Sequence, residues 1–271
     1  MHTKHFFIFK KIILTFVRAY SIIITVKSVH TYTGFNYHAS HAGRNDFMKK
    51  LQKAAIVAGS IIKVWERGIC FKHTGKMEGM ISINTSTIEN PFCKKMSLIP
   101  GSVCSHCYAR EQFKRYPLMV NKYAESTIDL TTRLLSWEEI PVIRSNNETC
   151  RLEAFGELNN EIQVINYFQI CRRNPDINFA LWTKRSDLID KVIKSGISKP
   201  DNINIIWSTL MINGMPDIGK YDFVDGYFTV YTPEYAAEHN IIINCGGRLC
   251  NDCLNCYDYH DDVFIINELL K

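Results

Sequence analysis

The sequence predicts an α/β protein: a partial or distorted parallel (β/α) barrel with cysteine-rich metal-binding loops. Three observations lead there. From residue 150 onward, short apolar runs alternate with amphipathic stretches of 10 to 13 residues, the pattern of strands joined by crossover helices in a parallel sheet. With 271 residues, 46% hydrophobic and 22% charged, the chain can bury a sizeable core and falls outside the disordered, collagen-like and low-complexity classes. Seven of its ten cysteines fall in two tight groups, Cys93, Cys104, Cys107 and Cys245, Cys250, Cys253, Cys256. That spacing reads as metal ligation in a reducing compartment, with a disulfide scaffold as the lesser alternative.

Residues 1–47 form a basic, apolar N-terminal extension outside the expected fold, and 48–271 a single α/β metal-binding domain with a cysteine-rich C-terminal cap at 245–257. Met48, followed by Lys49 and Lys50, resembles an ordinary protein start. Phe6 to Val29 is apolar but broken by Lys10, Lys11, Arg18 and Lys27, so neither a membrane-spanning helix nor a secretory signal is expected. A basic segment lying on a membrane surface is the remaining alternative for it. The net charge of +5 also divides here: residues 1–69 carry 11 Lys and Arg against Asp46 and Glu66, and residues 70–271 carry 21 against 25 acidic residues. The part bearing the motifs is therefore net acidic, which gives no support to a nucleic-acid partner.

In chain order, Asp46 to Val64 has helical apolar spacing through Leu51, Ala54, Ala55, Ala58, Ile61 and Ile62. Gly68 to Gly101 is rich in turn formers, with a short strand at Met80 to Asn84. Tyr108 to Leu135 reads as helix interrupted near Pro117. Strands follow at Cys150–Leu158, Asn178–Thr183, Asn202–Leu210, Tyr227–Tyr231 and Asn240–Asn244, with helices at Glu161–Arg173 and Ser186–Ser195. Since ligands of parallel sheets bind at the carboxyl ends of strands, Glu153 to Glu157, Thr183 to Arg185 and Ser208 to Leu210 should line one rim.

The first cysteine group places Cys104 and Cys107 three residues apart at the entrance to a helix, with Cys93 in the preceding loop. Three thiolates could hold a four-iron cluster with one open iron. Tetrahedral zinc would need a fourth ligand, for which His106 or Cys70 is available. The bland reading keeps Cys93 in the core and makes Cys104 and Cys107 half a zinc site. The second group, four cysteines in 12 residues freed by Gly246 and Gly247, suits either an iron–sulfur cluster or an all-thiolate zinc site. A zinc site shared between Cys104, Cys107 and two tail cysteines is a third arrangement. Cys150 and Cys171 lie on apolar faces and read as core.

On the expected rim, Arg151, Glu153 and Glu157 form a charged series that would be costly on a buried strand unless it faced a site; a solvated edge is the alternative. Glu157 would then bind an amine or a cation. Thr183, Lys184 and Arg185 could meet phosphate or carboxylate, or simply form an exit loop. Trp182 and Trp207 read as buried aromatics on adjacent strands, and Asp258, Asp261 and Asp262 as solvated surface. No phosphate-binding glycine loop, GxSxG elbow or HExxH helix occurs.

Several ordered motifs resemble the phage gene product 88 family of bacteriophage and prophage proteins: Asn90-Pro91-Phe92-Cys93, Cys104-Ser105-His106-Cys107-Tyr108-Ala109, Phe155-Gly156-Glu157-Leu158, Leu181-Trp182-Thr183-Lys184-Arg185, and Asn244-Cys245-Gly246 through Cys256-Tyr257. The likeness runs from about Gly68 to Tyr257 and implies a protein acting in the cytoplasm of a bacterial host. A second, architecture-level likeness is to radical S-adenosylmethionine enzymes, which hold a 4Fe-4S cluster on three cysteines after the first barrel strand and seat the methionine amine near a Gly-Glu pair after the second. It implies Cys93, Cys104 and Cys107 as cluster ligands and Gly156 and Glu157 as cofactor-binding residues. Cys93 lies farther from Cys104 than in that family, and Leu158 stands where proline is usual.

The expected function is thus a phage-derived metal protein binding iron–sulfur through both cysteine groups, with S-adenosylmethionine chemistry at the first. The alternative is a non-catalytic, zinc-stabilised protein that recognises a phage or host component. Whether it is an enzyme is left open between them, and no partner beyond a small-molecule cofactor is implied.

Overall fold

The computed structural model describes residues 70–271 apart from positions 73, 74, 146, 261 and 271. The N-terminal extension, the Met48 start and the helix expected at Asp46 to Val64 lie outside the described residues. Among the described residues no helix is long and apolar enough to cross a membrane.

Seven strands form one sheet in strict chain order: β1 (Cys70–Lys72), β2 (Ile81–Ile83), β3 (Thr149–Leu152), β4 (Asn178–Thr183), β5 (Ile203–Ser208), β6 (Gly226–Tyr231) and β7 (Phe264–Leu269). β1 pairs antiparallel to β2, and every later pairing is parallel. The sheet is not a closed barrel, because β1 and β7 are its two edges.

The helices are α1 (Pro91–Met96), α2 (Tyr108–Arg115), α3 (Pro117–Thr131), α4 (Glu161–Arg173), α5 (Ser186–Lys194), α6 (Pro233–Glu238) and the single turn α7 (Cys250–Cys253). Pro117 separates α2 from α3 by opening a new first turn, where its missing N–H costs nothing. α4 opens at Asn160, whose side chain accepts the Gln163 N–H, and closes on Arg172 and Arg173.

Parallel strands joined by crossovers of one hand, running in order across a sheet, put their helices on one face. Side chains alternate accordingly. Leu152, Leu181 and Ile205 pack with Val164, Phe168, Leu188 and Ile189 of α4 and α5. The opposite face presents Ala180, Ile206, Phe228, Val230 and Ile266, and these pack with Met80, Trp182, Tyr257 and the cysteine tail. Cys150 and Cys171 are buried core residues. Trp207 packs on the helical side and Trp182 on the other, so the two tryptophans face opposite ways.

Several boundaries differ from the sequence expectation. The strand expected at Cys150–Leu158 stops at Leu152, because Glu153 turns into the left-handed region at φ 57°. Glu153 and Glu157 therefore sit on the strand's exit loop and do not continue the face that carries Arg151. The strand expected at Asn240–Asn244 is a loop whose Ile242 is 79% exposed. Its Asn244 bonds the Asn267 backbone, and Asn267 Nδ2 donates to the Ile242 carbonyl. That segment flanks the true last strand, Phe264–Leu269. α1 stands in a region read as turns: Asn90 caps it, accepting from the Phe92 and Cys93 N–H groups, and Pro91 begins it.

Buried asparagines tie the connections to the helical layer. Asn166 on α4 accepts the Leu135 N–H at 2.9 Å and donates to the carbonyls of Leu130 and Arg133 at 2.8 and 2.9 Å. It thus satisfies the frayed end of α3. Asn166→Ala leaves those groups without a partner, and a loss of about 2 to 4 kcal/mol is expected from the cost of orphaned buried groups. Urea unfolding measures it; an unchanged midpoint would show that the asparagine does not hold this junction.

Candidate functional site

The carboxyl ends of β2 to β5 meet at one rim, as the strand pattern predicts, and the first cysteine group is assembled there. Asn90 makes the central tie. While its Oδ1 caps α1, its Nδ2 donates to the carbonyls of Glu157 at 2.9 Å and Leu158 at 3.3 Å. This fixes the helix bearing Cys93 against the loop after β3. Ser102 links the next segment, donating to the Met96 carbonyl at 2.7 Å and accepting the Ser105 N–H at the turn that carries Cys104. Val103 N–H reaches the Leu210 carbonyl and Ile212 N–H the Gly101 carbonyl, which anchor that turn to the exit of β5. Cys107 is the residue on which α2 begins.

The sulfurs of Cys93, Cys104 and Cys107 act electrostatically on one another, with Glu157 and Lys184 among them. Burial pushes the Cys93 and Cys104 thiols up; Glu157 and the neighbouring cysteines add to this, and Lys184 opposes it. Burial would lower the Lys184 ammonium, but Cys104, Glu157, Cys107 and Cys93 outweigh it and hold it above its ordinary value. Lys184, half-buried on the exit loop of β4, is thus the cation acting on both Cys93 and Cys104. His106 is exposed, and nothing is described of the Cys70 side chain.

Glu157 is not an idle carboxylate. Thr183 Oγ1 and the Leu158 N–H donate to one oxygen and the Lys184 N–H to the other, so the chain itself supplies three donors. Gly156 sits in a place where only glycine fits: a β-carbon there would stand 1.8 Å from Glu153 Oε2 and 2.7 Å from the Thr85 carbonyl. The Phe155 N–H is held by Asn84 at 3.1 Å. The Phe155–Glu157 backbone is therefore fixed close to the cysteines from three sides.

Glu153 lies under this loop, fully enclosed. It accepts from Thr85 N–H and Oγ1 at 3.0 to 3.1 Å, from Gln163 Nε2 at 2.5 Å, and from the Tyr167 hydroxyl. Its role is to position the β2 and β3 exits.

The second group occupies another part of the sheet. Cys245 bridges to Glu268 at the carboxyl end of β7, but the chain then crosses the face opposite the helices. Asn204 Nδ2 donates to the carbonyls of Cys256 and Asp258, and Asn251 contacts Asn147 just before β3. The expected cap at the rim is therefore a cover on the sheet face. The thiols acting on Cys250 are Cys245 and Cys253, and those on Cys256 are Cys245, Cys250 and Cys253. Burial pushes Cys256 up to about 12, with Arg151 opposing. Lys76 Nζ lies 3.2 Å from Cys245 Sγ and 2.9 Å from Glu268 Oε1. Among the described residues no three His, Cys, Asp or Glu side chains are gathered as a set that could hold a metal ion.

A family model described as Gene product 88 matches residues 43–258 of this chain. No curated protein and no solved structure matches it.

Burial, the largest influence, raises the Glu153 carboxyl from 4.5 to about 7, against the pull of hydrogen bonds from Tyr167 and Thr85. Between those values the folded chain keeps a proton that the unfolded chain releases. Stability is then greatest at the acid end of the window and falls by about 3 kcal/mol as pH rises through it. Glu153→Gln stays neutral and should flatten this slope. Urea unfolding across that range measures it, and an identical slope in the variant would refute the assignment.

Proposed function

The chain belongs to the gene product 88 family, and from that premise we propose that it is an iron–sulfur protein of the reducing cytoplasm whose reactive centre is held by Cys93, Cys104 and Cys107. The observation that carries the reading is that these three thiols, from α1, the Ser102 turn and the start of α2, lie within electrostatic reach of one another and of Lys184 at the carboxyl rim. Their donor chemistry fits the group: three sulfurs, with a buried ammonium to offset the charge they would carry as thiolates. A single ion needs its sulfurs close together, with metal–sulfur bonds of about 2.3 Å. A cluster takes each thiolate at a separate corner.

The order of parts supports an S-adenosylmethionine enzyme in particular. The three cysteines follow the first parallel strand, Gly156 and Glu157 follow the second, and six parallel strands run in chain order without closing. A four-iron cluster on three thiolates would offer one iron to a small molecule and supply the electron for its cleavage. The protein's own part is to hold and to orient. Asn90 and Thr85 fix the Gly156–Glu157 backbone as a seat for the cofactor's amino end, Glu157 locks the β4 exit through Thr183 and Lys184, and Lys184 balances charge.

The tail group takes a second reading. Cys245, Cys250 and Cys256 pack with Phe228, Val230 and Ile266, a position that favours a closed, structural centre of either zinc or iron–sulfur. A divalent metal on four thiolates carries two excess negative charges, and Lys76 and Arg151 are the cations that act on these sulfurs.

Purification without oxygen, with iron, sulfide and zinc measured per chain and electron paramagnetic resonance after reduction, tests both. Iron and sulfide are expected, with a cluster signal lost in the combined Cys93→Ala, Cys104→Ala, Cys107→Ala variant while the chain stays folded. Cys250→Ala with Cys253→Ala should instead lower the melting temperature. Stoichiometric zinc without iron would overturn the enzyme reading and leave the zinc-stabilised binding protein.

A further inference from the structure

We infer that the sheet face under the cysteine tail carries an oxyanion-binding site built from Arg151, Trp182 and Tyr257. Arg151 projects from β3 on the side away from the helices, is only 9% exposed, and sets its guanidinium 3.8 Å from the centre of the Trp182 ring. Its Nε has no hydrogen-bond partner among the described residues; the same holds for Trp182 Nε1 and for the hydroxyl of Tyr257, itself 5% exposed. These orphans belong to one neighbourhood. Trp182 and Tyr257 share the apolar cluster beneath the tail, and Arg151 is the strongest charge acting on the Tyr257 hydroxyl.

Buried polar groups are ordinarily paired, and a buried cation more stringently so. Arginine Nε and indole Nε1 can only donate, and a phenol can donate. What the three lack in common is therefore an acceptor, and the guanidinium asks for a charged one. Cations and amines are excluded by the same inventory. A carboxylate or a phosphate meets the planar fork of arginine with parallel hydrogen bonds, leaving its remaining oxygens to the indole and the phenol. Glu268, the acidic side chain nearby on this face, is already bound to Lys76 at 2.9 Å.

Tyr108, an exposed residue, contacts the Ala154 carbonyl through its hydroxyl, which lies within the electrostatic reach of Arg151, Cys107 and Cys250. The anion site accordingly lies on the sheet face beneath the tail, where the carboxylate or phosphate of a substrate would be held against Arg151 and Trp182. The inference rests on the unpartnered donors and holds whether or not either cysteine group carries metal.

The test is isothermal titration of the full chain, purified without oxygen, with inorganic phosphate, sulfate and succinate in turn, metal content being assayed on the same samples. Saturable binding of one anion per chain is expected, with the stronger of phosphate and succinate telling which chemistry the site takes. Tyr257→Phe removes only a hydroxyl and should weaken binding by about tenfold or more; Trp182→Phe removes the indole N–H together with part of the ring and should weaken it as well, and Arg151→Met should abolish it. A melting curve and metal content unchanged in Tyr257→Phe separate this from loss of packing or of a metal centre. Absence of saturable binding by all three anions, or binding indifferent to the three substitutions, would overturn the site and would point to the tail sulfurs as the true partners of Arg151.

Discussion

Among the described residues, the arrangement of the core follows from having the long crossover helices α4 and α5 on one side of the sheet. A parallel sheet needs apolar cover on both faces, yet strands laid down in chain order with crossovers of constant hand receive helices on only one. Closure into a full barrel would bury the other face against itself. Here β1 and β7 remain edges, and the face bearing Ala180, Ile206, Phe228 and Ile266 is covered by the β6–β7 connection, which carries the single turn α7. The segment from Cys245 to Tyr257 meets that requirement with few large apolar residues of its own, because its cysteines supply small, apolar, polarizable packing groups. The second cysteine group is thus part of the core before it is anything else.

The rim obeys a different constraint. The loop after β3 has to turn sharply and still leave its backbone near the cysteines, and it does so through groups that each serve two elements. Asn90 caps one helix and holds the Glu157 loop with the same side chain. Glu153 takes donors from the β2 exit and from α4, and its proximity is what reserves position 156 for glycine. Since each of these side chains closes hydrogen bonds from two segments far apart in sequence, the rim is braced by the chain itself.

Legibility in the sequence tracked how local each cause was. Glu161–Arg173 and Asn178–Thr183 match their predicted spans because an unbroken periodicity and a cap or turn at each end are local signals. The last strand was hidden because the apolar run from Val263 to Leu270 follows an acidic stretch that reads as surface, while Asn240–Asn244 imitates a strand but only flanks one. α1 carried its own signal, Asn90 before Pro91, within a turn-rich composition that masked it. Of the site, the cysteines and Gly156–Glu157 were visible as motifs. Lys184, Arg151 and Asn90 were not visible in their roles, because a cation enclosed by sulfur, an arginine stacked on indole and a cap shared between segments are properties of long-range proximity. Such properties have no periodicity to read.

Charge gives the two cysteine groups their common logic. Burying thiols favours their neutral form, as the upward shifts of Cys93, Cys104 and Cys256 express. A chain that wanted only packing would place no cations beside them, since a buried ammonium or guanidinium is itself costly. Yet Lys184 stands in the first group, and Lys76 beside the second. Neutral thiols return little to these cations, whereas thiolates would stabilise them strongly, and coordination to a metal is what makes a buried thiol give up its proton. The arrangement is self-consistent once the sulfurs are charged, and the proposed metal reading rests on these cations more than on the cysteine spacing.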